Sequence, residues 1–201
     1  GGLWAIGAVA AWCKASQNGM PLVQGLRLVA DALKAELAVV TRVSRDREGP
    51  LRKSLQVLSF DRRANFSRGA EPYRHSSAEA VCGRYLAVSK PGTIWNARVS
   101  ELETASQVAT ALRQRKLIES VVIPLEHHVN CSDFLELHFA RDLGARELDR
   151  IGLIGTTLAD AWKTRQMGLM SKTVFRQPVK PQRNEEETTR DVLALENPCK
   201  L

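Results

Sequence analysis

Two short apolar runs and one long amphipathic stretch follow one another between residues 119 and 166. The runs, 120–126 and 133–139, are rich in Val, Ile, Leu and Phe and have polar residues between them, which indicates two paired strands. The stretch 146–166 has apolar residues at helical spacing, which predicts a helix. This apolar stripe consists of Leu148, Ile151, Leu158, Ala159 and Trp162. The segment therefore predicts a domain in which helices cover a sheet.

The first part of the chain supplies elements of the same two kinds. Helical patterns cover 3–14 and 21–34, and Pro21 suits the first turn of the second helix. Apolar runs at 36–43 and 54–60 have turn-forming residues between them, which predicts a β-hairpin.

Residues 76–116, which we call the excursion, connect the two predicted strand pairs. A serine pair at the start can cap a helix that ends before Pro-Gly at 91–92, and 103–116 also has a helical pattern. Residues 93–98 are expected to be irregular or a short strand. The predicted order is α-α-β-β-α-α-β-β-α, an α+β fold with helices from both chain ends on one face of an antiparallel sheet.

The chain changes character after residue 166, where it becomes polar and contains prolines. Such a composition has little to bury and is typical of a linker. We predict one domain over 1–166 and a linker over 167–201.

The overall charge does not by itself indicate a nucleic-acid site. Lys and Arg outnumber Asp and Glu by 29 to 22, giving a net charge of +7, but the basic residues are scattered. A nucleic-acid surface needs such residues to converge on one face, so solvated loops and helix ends are the favoured interpretation.

The four cysteines lie far apart without the spacing of a zinc site, which favours reduced thiols and a cytoplasmic location. The apolar start of the chain lacks a basic flank and is too short to span a bilayer, so no membrane association is expected.

Several segments resemble the sensory half of LuxR-type bacterial transcriptional regulators, and the order of elements resembles that of GAF domains, relatives of PAS domains. These segments are 81–87, 91–95, 119–126, 133–139 and 158–165. The resemblance implies a GAF/PAS-like fold with the excursion over one face of the sheet. It also implies signal sensing, a homodimer, and contact with DNA only through a C-terminal helix-turn-helix domain that would follow residue 201.

Alternation along 133–139 divides that strand into an apolar and a mixed face. We expect Leu135, Leu137 and Phe139 to face the terminal helices, and the other face to line a small-molecule pocket beneath the excursion, where GAF domains hold ligands. The candidate ligand-binding residues are Arg42, Arg84, Tyr85, Trp95, Asn96, Phe134, Glu136 and His138.

Other interpretations remain open for these residues. Glu136 and His138 can form a structural hydrogen-bonded pair, and Tyr85 and Trp95 can be ordinary core residues. A domain whose pocket is filled by its own side chains would be an interaction or dimerisation module without a ligand.

The sequence contains no recognised catalytic or cofactor-binding motif, so we expect neither an enzyme nor a cofactor. His127 or His128 with Cys131 is a weak candidate for a metal or haem site, and Cys82 is a candidate for oxidation sensing. We predict no metal site.

Overall fold

The structure, a computed structural model, describes residues 22–44, 54–63 and 75–174 together with Gly7, Val9, Ala10, Trp12 and Cys13. Side chains of the last helix are described as far as Arg165. The described helices and strands are, in chain order, α1 (Leu22–Leu33), β1 (Leu37–Ser44), β2 (Ser54–Asp61), α2 (Ala78–Cys82), β3 (Trp95–Arg98), α3 (Gln107–Gln114), β4 (Glu119–His127), β5 (Cys131–Phe139) and α4 (Ala145–Val174).

The five described strands form one antiparallel sheet in the order β2-β1-β5-β4-β3. The central strand, β5, is buried along its whole length. It is buried because helices cover one face of the sheet and the excursion covers the other. This arrangement confirms the predicted α+β class and the antiparallel sheet.

The helices from both chain ends pack on the same face, which we call the helix side. Leu135, Leu137 and Phe139 point to this side and join one apolar core. The helical residues of that core include Trp12, Leu26, Val29, Ile151, Leu158 and Trp162. The apolar stripe predicted for 146–166 is therefore the stripe that packs on the sheet.

The other face, which we call the excursion side, is covered by α2, α3 and the turns between them. Leu37 and Val39 pack there with Leu112, while Phe134 packs with Val43 and Cys82. Two short 3-10 helices, Gly83–Tyr85 and Val99–Glu101, follow α2 and β3. Residues 76–116 therefore cover the sheet as predicted, with β3 as the short edge strand.

Helix α4 is longer than the sequence pattern predicted. It has 30 residues and continues as a helix to Val174, through the expected boundary at 166. The predicted apolar stripe ends at Trp162, but Met167, Leu169 and Met170 follow it, and residues of these types favour a continuing helix. The division into a domain over 1–166 and a linker over 167–201 stays a prediction.

The excursion and α4 meet where two glycines lie against each other. A Cβ atom added to Gly155 would stand 2.1 Å from the carbonyl oxygen of Gly92, and one added to Gly92 would stand 2.4 Å from Thr156 Cα. The amide of Gly92 donates to Pro124 O at 2.8 Å, which fixes this turn on β4. Only residues without side chains allow this approach of two backbones.

Among the described helices, none combines the length and the apolar character that crossing a bilayer requires.

Candidate functional site

Glu136 lies at the centre of the excursion side and is fully buried. Its Oε1 accepts hydrogen bonds from Thr41 Oγ1 at 2.5 Å and from Ser76 Oγ at 2.6 Å. Its Oε2 accepts from the backbone amide of Ser77 at 2.8 Å and from its hydroxyl at 2.9 Å. The carboxylate therefore ties the start of the excursion to the middle of the sheet.

These partners keep Glu136 ionised. Burial alone would raise the pKa of Glu136, but the interactions with His138, Ser76 and Thr41 hold that pKa below its ordinary value. A buried carboxylate that accepts several hydrogen bonds is a stable anion, and it loses its partners if the excursion moves.

His138 lies beside Glu136, as the sequence predicted for two residues of one strand face. Its Nε2 is 3.6 Å from Glu136 Oε2, and its Nδ1 is hydrogen-bonded to Ser120 Oγ at 2.9 Å. These contacts give the same order of side chains as a catalytic triad, with Ser120, His138 and Glu136 in a row. None of the three has any exposed surface. A substrate has no route to Ser120 Oγ in this conformation, so the row is structural here.

The interior predicted to be a pocket is closed in this structure. Phe134, Glu136 and His138 each have an exposed fraction of 0%. A side chain with no accessible surface borders no space that a water molecule can enter. Whether these three residues bind a ligand stays a prediction, and such binding requires that the excursion moves.

Arg84, Tyr85 and Trp95 form a surface cluster on the excursion. The Tyr85 ring stacks on Trp95 with centroids 5.5 Å apart, and the Arg84 guanidinium lies 4.8 Å from the Tyr85 centroid. Tyr85 is 43% exposed, whereas Trp95 packs against the core around Phe134. The cluster thus lies at the outer end of that core, and a role in ligand binding stays a prediction.

Two candidate residues were placed on the wrong face. Arg42 was expected beside Glu136 and His138, but it pairs in register with Asp133 and points to the helix side. Asn96 was expected above the pocket, but it is exposed at the sheet edge, where its Nδ2 donates to Glu119 Oε1 at 3.0 Å. Arg42 was misplaced because a shift of one residue in register inverts every side chain of a strand. Asn96 was misplaced because 95–98 is a strand, in which neighbouring residues point to opposite faces.

Asp133 is the centre of a second buried network, on the helix side. It accepts two hydrogen bonds from Arg42, from Nε at 2.7 Å and from Nη2 at 2.9 Å, and one from Trp162 Nε1 at 3.0 Å. Burial would raise the pKa of Asp133, but the hydrogen bonds from His128 and Arg42 hold it below its ordinary value. This network binds α4 to the central strand.

The sequence did not reveal the two networks as units. Thr41, Ser76, Ser77 and Ser120 are common residue types without a diagnostic spacing. For Asp133 the pattern predicts only a place at the start of a strand. One signal was available for Asp133, because a charged residue in a strand followed by an apolar run suggests a buried partner.

The cysteine and histidine candidates are engaged in packing. Burial, together with the negative charge of Glu136, raises the pKa of Cys82 to about 12, so its thiol is not activated. His127 is hydrogen-bonded to Ser132 Oγ at 2.7 Å and to the carbonyl of Ser89. Within the described ranges, no group of three His, Cys, Asp or Glu residues is placed to hold a metal ion.

An open groove of about 500 Å³ lies elsewhere, between the C-terminal end of α1 and the first turns of α4. Leu33, Leu143 and Ile151 line it, together with the charged residues Lys34, Arg141, Glu147 and Arg150. None of these residues was expected from the sequence to belong to a site.

No model of a known protein family matches the sequence, and a search of curated proteins finds no match. Solved structures do match the fold. The phycoerythrobilin-bound GAF domain of a cyanobacterial phytochrome has a TM-score of 0.53 at 14% identity, and the match covers 84% of this chain and 97% of that one. The phycocyanobilin-bound GAF domain of a cyanobacterial phytochrome has a TM-score of 0.55 at 12% identity, covering 82% and 96%.

A GAF domain of A. Aeolicus nlh2 in an inactive state has a TM-score of 0.51 at 15% identity, covering 81% of this chain and 98% of that one. The matches extend over almost the whole of these domains. At such identities the likeness concerns the fold alone, and the chain has the fold of a GAF domain.

Proposed function

We propose that this chain is the signal-sensing domain of a cytoplasmic transcriptional regulator of LuxR type. It acts as a homodimer, has no catalytic activity, and contacts DNA only through a helix-turn-helix domain that follows it in the full regulator. The GAF fold supports sensing, because two of the solved domains with this fold are described as bilin-bound. The regulator type rests on the sequence resemblance alone.

The observation that carries the proposal is the attachment of α4. Its described buried residues lie between Ile151 and Trp162, while its backbone remains helical to Val174. A helix of 30 residues is roughly 45 Å long, and its buried residues, where side chains are described, occupy only the middle of that length. Such a helix can transmit a change in the domain to whatever is joined to its end.

Strand β5 connects the two sides of the sheet. Glu136 faces the excursion, and Asp133, three residues earlier on the same strand, binds Trp162 of α4. A signal that moves the excursion removes hydrogen bonds from Glu136 and shifts β5, which displaces the acceptor that holds α4. The Gly92–Gly155 contact gives a second, direct route from the excursion to α4.

A small molecule would enter beneath the excursion by displacing Ser76, Ser77 and α2. Phe134, Glu136 and His138 would then line the opened space, offering an aromatic wall and two polar groups. The proposed ligand site is thus a second conformation of the excursion.

One observation favours a second function, an interaction module without a ligand. The interior beneath the excursion is closed, and Glu136 already has hydrogen-bond donors on both oxygens. A buried carboxylate whose two oxygens already accept hydrogen bonds needs no ligand as a partner. In this alternative the helices of the helix side dimerise or bind a partner protein.

Native mass spectrometry of the purified chain separates these functions. The sensing proposal predicts a dimer and, when phycocyanobilin or a metabolite extract is added, a retained small molecule together with a rise in melting temperature. A dimer that retains nothing and shows no thermal shift would support the interaction module. A monomer at tens of micromolar in light scattering would contradict the homodimer of the sensing proposal.

The variant Ser77→Ala provides the matched test of the excursion route. It removes one hydrogen bond to Glu136 Oε2 and leaves the backbone amide of residue 77 in place. If ligand entry requires the excursion to move, this variant should bind more tightly than the parent chain. Unchanged or weaker binding would show that the ligand enters elsewhere.

A further inference from the structure

The groove between α1 and α4 is concave and has an apolar floor. Its volume of about 500 Å³ lies within the range of small-molecule sites, roughly 300–1,000 Å³. Leu33, Leu143 and Ile151 form the floor and are 6%, 8% and 3% exposed. An apolar group that enters the groove would therefore meet packed hydrophobic side chains.

The rim of the groove carries more positive than negative charge. Lys34, Arg141 and Arg150 line it, and Glu147 is the one acidic residue among the lining residues described. Glu147 is engaged by its own neighbours, because Oε1 accepts from Arg141 Nη1 at 2.7 Å and Oε2 accepts from the Gly144 amide at 3.2 Å. Arg150 also lies close enough for its charge to lower the pKa of Glu147, so the two arginines share one acidic partner. The rim therefore has an excess of cations at the mouth of an apolar space.

We propose that this groove binds a small amphipathic carboxylate, with the apolar body on the floor and the carboxylate at Lys34 and Arg150. A carboxylate matches the charge of the rim, and a chain of methylene groups matches the floor. The site lies on the helix side, away from Glu136 and from the space beneath the excursion. Binding there bridges α1 to the first turns of α4.

Octanoate is the probe, measured by isothermal titration calorimetry on the full chain. Octanol and octylammonium carry the same apolar chain with a neutral or a positive head. We expect saturable binding of octanoate at a 1:1 ratio, and binding of the other two to be weaker by about tenfold or more, equivalent to about 1.4 kcal/mol or more. Equal binding of all three, or no saturable binding of octanoate, would overturn the proposal.

The variant Lys34→Asn/Arg150→Gln removes both cations from the rim. Lys34 has a φ of +57°, a conformation that Asn tolerates better than most residues. Lys116→Asn/Lys163→Gln is the matched control, because Lys116 is also exposed with a φ of +54° and neither residue lines the groove. We expect about a tenfold loss of octanoate affinity in the first variant and less than about a twofold change in the control.

The variant Ala32→Met tests the apolar part of the site. Ala32 is a half-buried lining residue, and Met is a good helix former that would fill the groove. It should abolish octanoate binding while the circular dichroism spectrum stays unchanged. Full binding in this folded variant would place octanoate elsewhere and refute the site.

The inference does not depend on the proposed regulatory function. Octanoate binding can succeed in a chain that is monomeric, and it can fail in a chain that dimerises and senses a ligand beneath the excursion.

Discussion

At the scale of single residues, the chain places one buried ion network on each face of its central strand. Asp133 and Glu136 belong to the same strand, and both are buried with several hydrogen-bond donors. A paired buried charge adds little net stability, but removing one partner leaves an uncompensated charge. The two carboxylates are therefore the residues at which a conservative substitution should have the largest effect.

We predict that Asp133→Asn lowers the free energy of unfolding by about 3–5 kcal/mol, because it breaks the bidentate ion pair of the buried Arg42. Urea denaturation followed by circular dichroism measures this. The exposed pair Arg98–Asp142, whose side chains are 58% and 61% exposed, is the control. Asp142→Asn should cost less than about 1 kcal/mol.

The double variant Arg42→Met/Asp133→Leu removes both charges together. It should be more stable than Asp133→Asn, because no buried charge remains unpaired. The losses in free energy of unfolding of Arg42→Met and Asp133→Leu should not add up in the double variant. A loss equal to their sum would mean that Arg42 and Asp133 act independently, contrary to their bidentate contact.

Cys82 should be inert in the folded protein. Burial and the nearby Glu136 raise its pKa to about 12, so its thiol stays protonated at neutral pH. Iodoacetamide at pH 8 should alkylate the partly exposed Cys13 well before Cys82, as measured by peptide mass spectrometry. Faster modification of Cys82 would restore it as a candidate for oxidation sensing.

At the scale of elements, the excursion packs on α4 only because Gly92 and Gly155 let their two backbones touch. Gly155→Ala would bring a methyl group to 2.1 Å from Gly92 O, so the helix and the turn must separate. We predict a loss of about 2–4 kcal/mol in the free energy of unfolding by urea denaturation.

Gly152→Ala is the matched control on the same helix. Its added Cβ would stand 3.8 Å from the nearest atom of Ile94, an ordinary contact, and Ala is favoured over Gly within a helix by about 1 kcal/mol. This variant should be neutral or more stable. Two alanine variants with the same effect would show that helix propensity, and not the backbone contact, decides the outcome.

The type of each element could be predicted from the sequence because periodicity reports burial. The alternation in 133–139 correctly assigned Leu135 to the helices and Glu136 to the excursion. The extension of α4 to Val174 was missed, although Met167, Leu169 and Met170 favour a helix there. The face predicted for Arg42 was wrong, because that face depends on how β1 pairs with β5, about ninety residues later in the chain.

At the scale of the whole molecule, the two buried carboxylates make stability depend on pH. Their pKa values are lower in the folded state than the ordinary values of 3.8 for Asp133 and 4.5 for Glu136. The stability they contribute is complete above those ordinary values and is lost as the pH falls through the lower, folded values. The free energy of unfolding should therefore decrease as the pH is lowered from about 5. The slope should be about 1.4 kcal/mol per pH unit for each proton that the unfolded state binds in excess of the folded state.

The variant Glu136→Gln isolates one of these two groups. Urea denaturation at a series of pH values should show a large deficit relative to the parent chain at pH 7, and the deficit should shrink as the pH falls. A deficit that stays constant down to pH 3 would mean that Glu136 does not contribute through its charge.

The candidate site could be predicted only in part, because a closed interior and an open one have the same strand pattern. The sequence pattern predicts that Phe134, Glu136 and His138 share one face, and the structure has all three on the excursion side. The pattern could not show that Ser76 and Ser77 donate hydrogen bonds to the carboxylate of Glu136, because residues about sixty positions apart meet only in the folded chain.

Trp12 and Trp162 stack with ring centroids 6.0 Å apart, and Trp12 Nε1 donates to Leu158 O at 2.9 Å. The electronic transitions of two indoles held this closely couple, which adds a band to the circular dichroism spectrum of the folded chain. This band disappears once the rings separate. Ultraviolet circular dichroism can thus follow the separation of Trp162, and with it of the last helix, from Trp12 without a dye or a label.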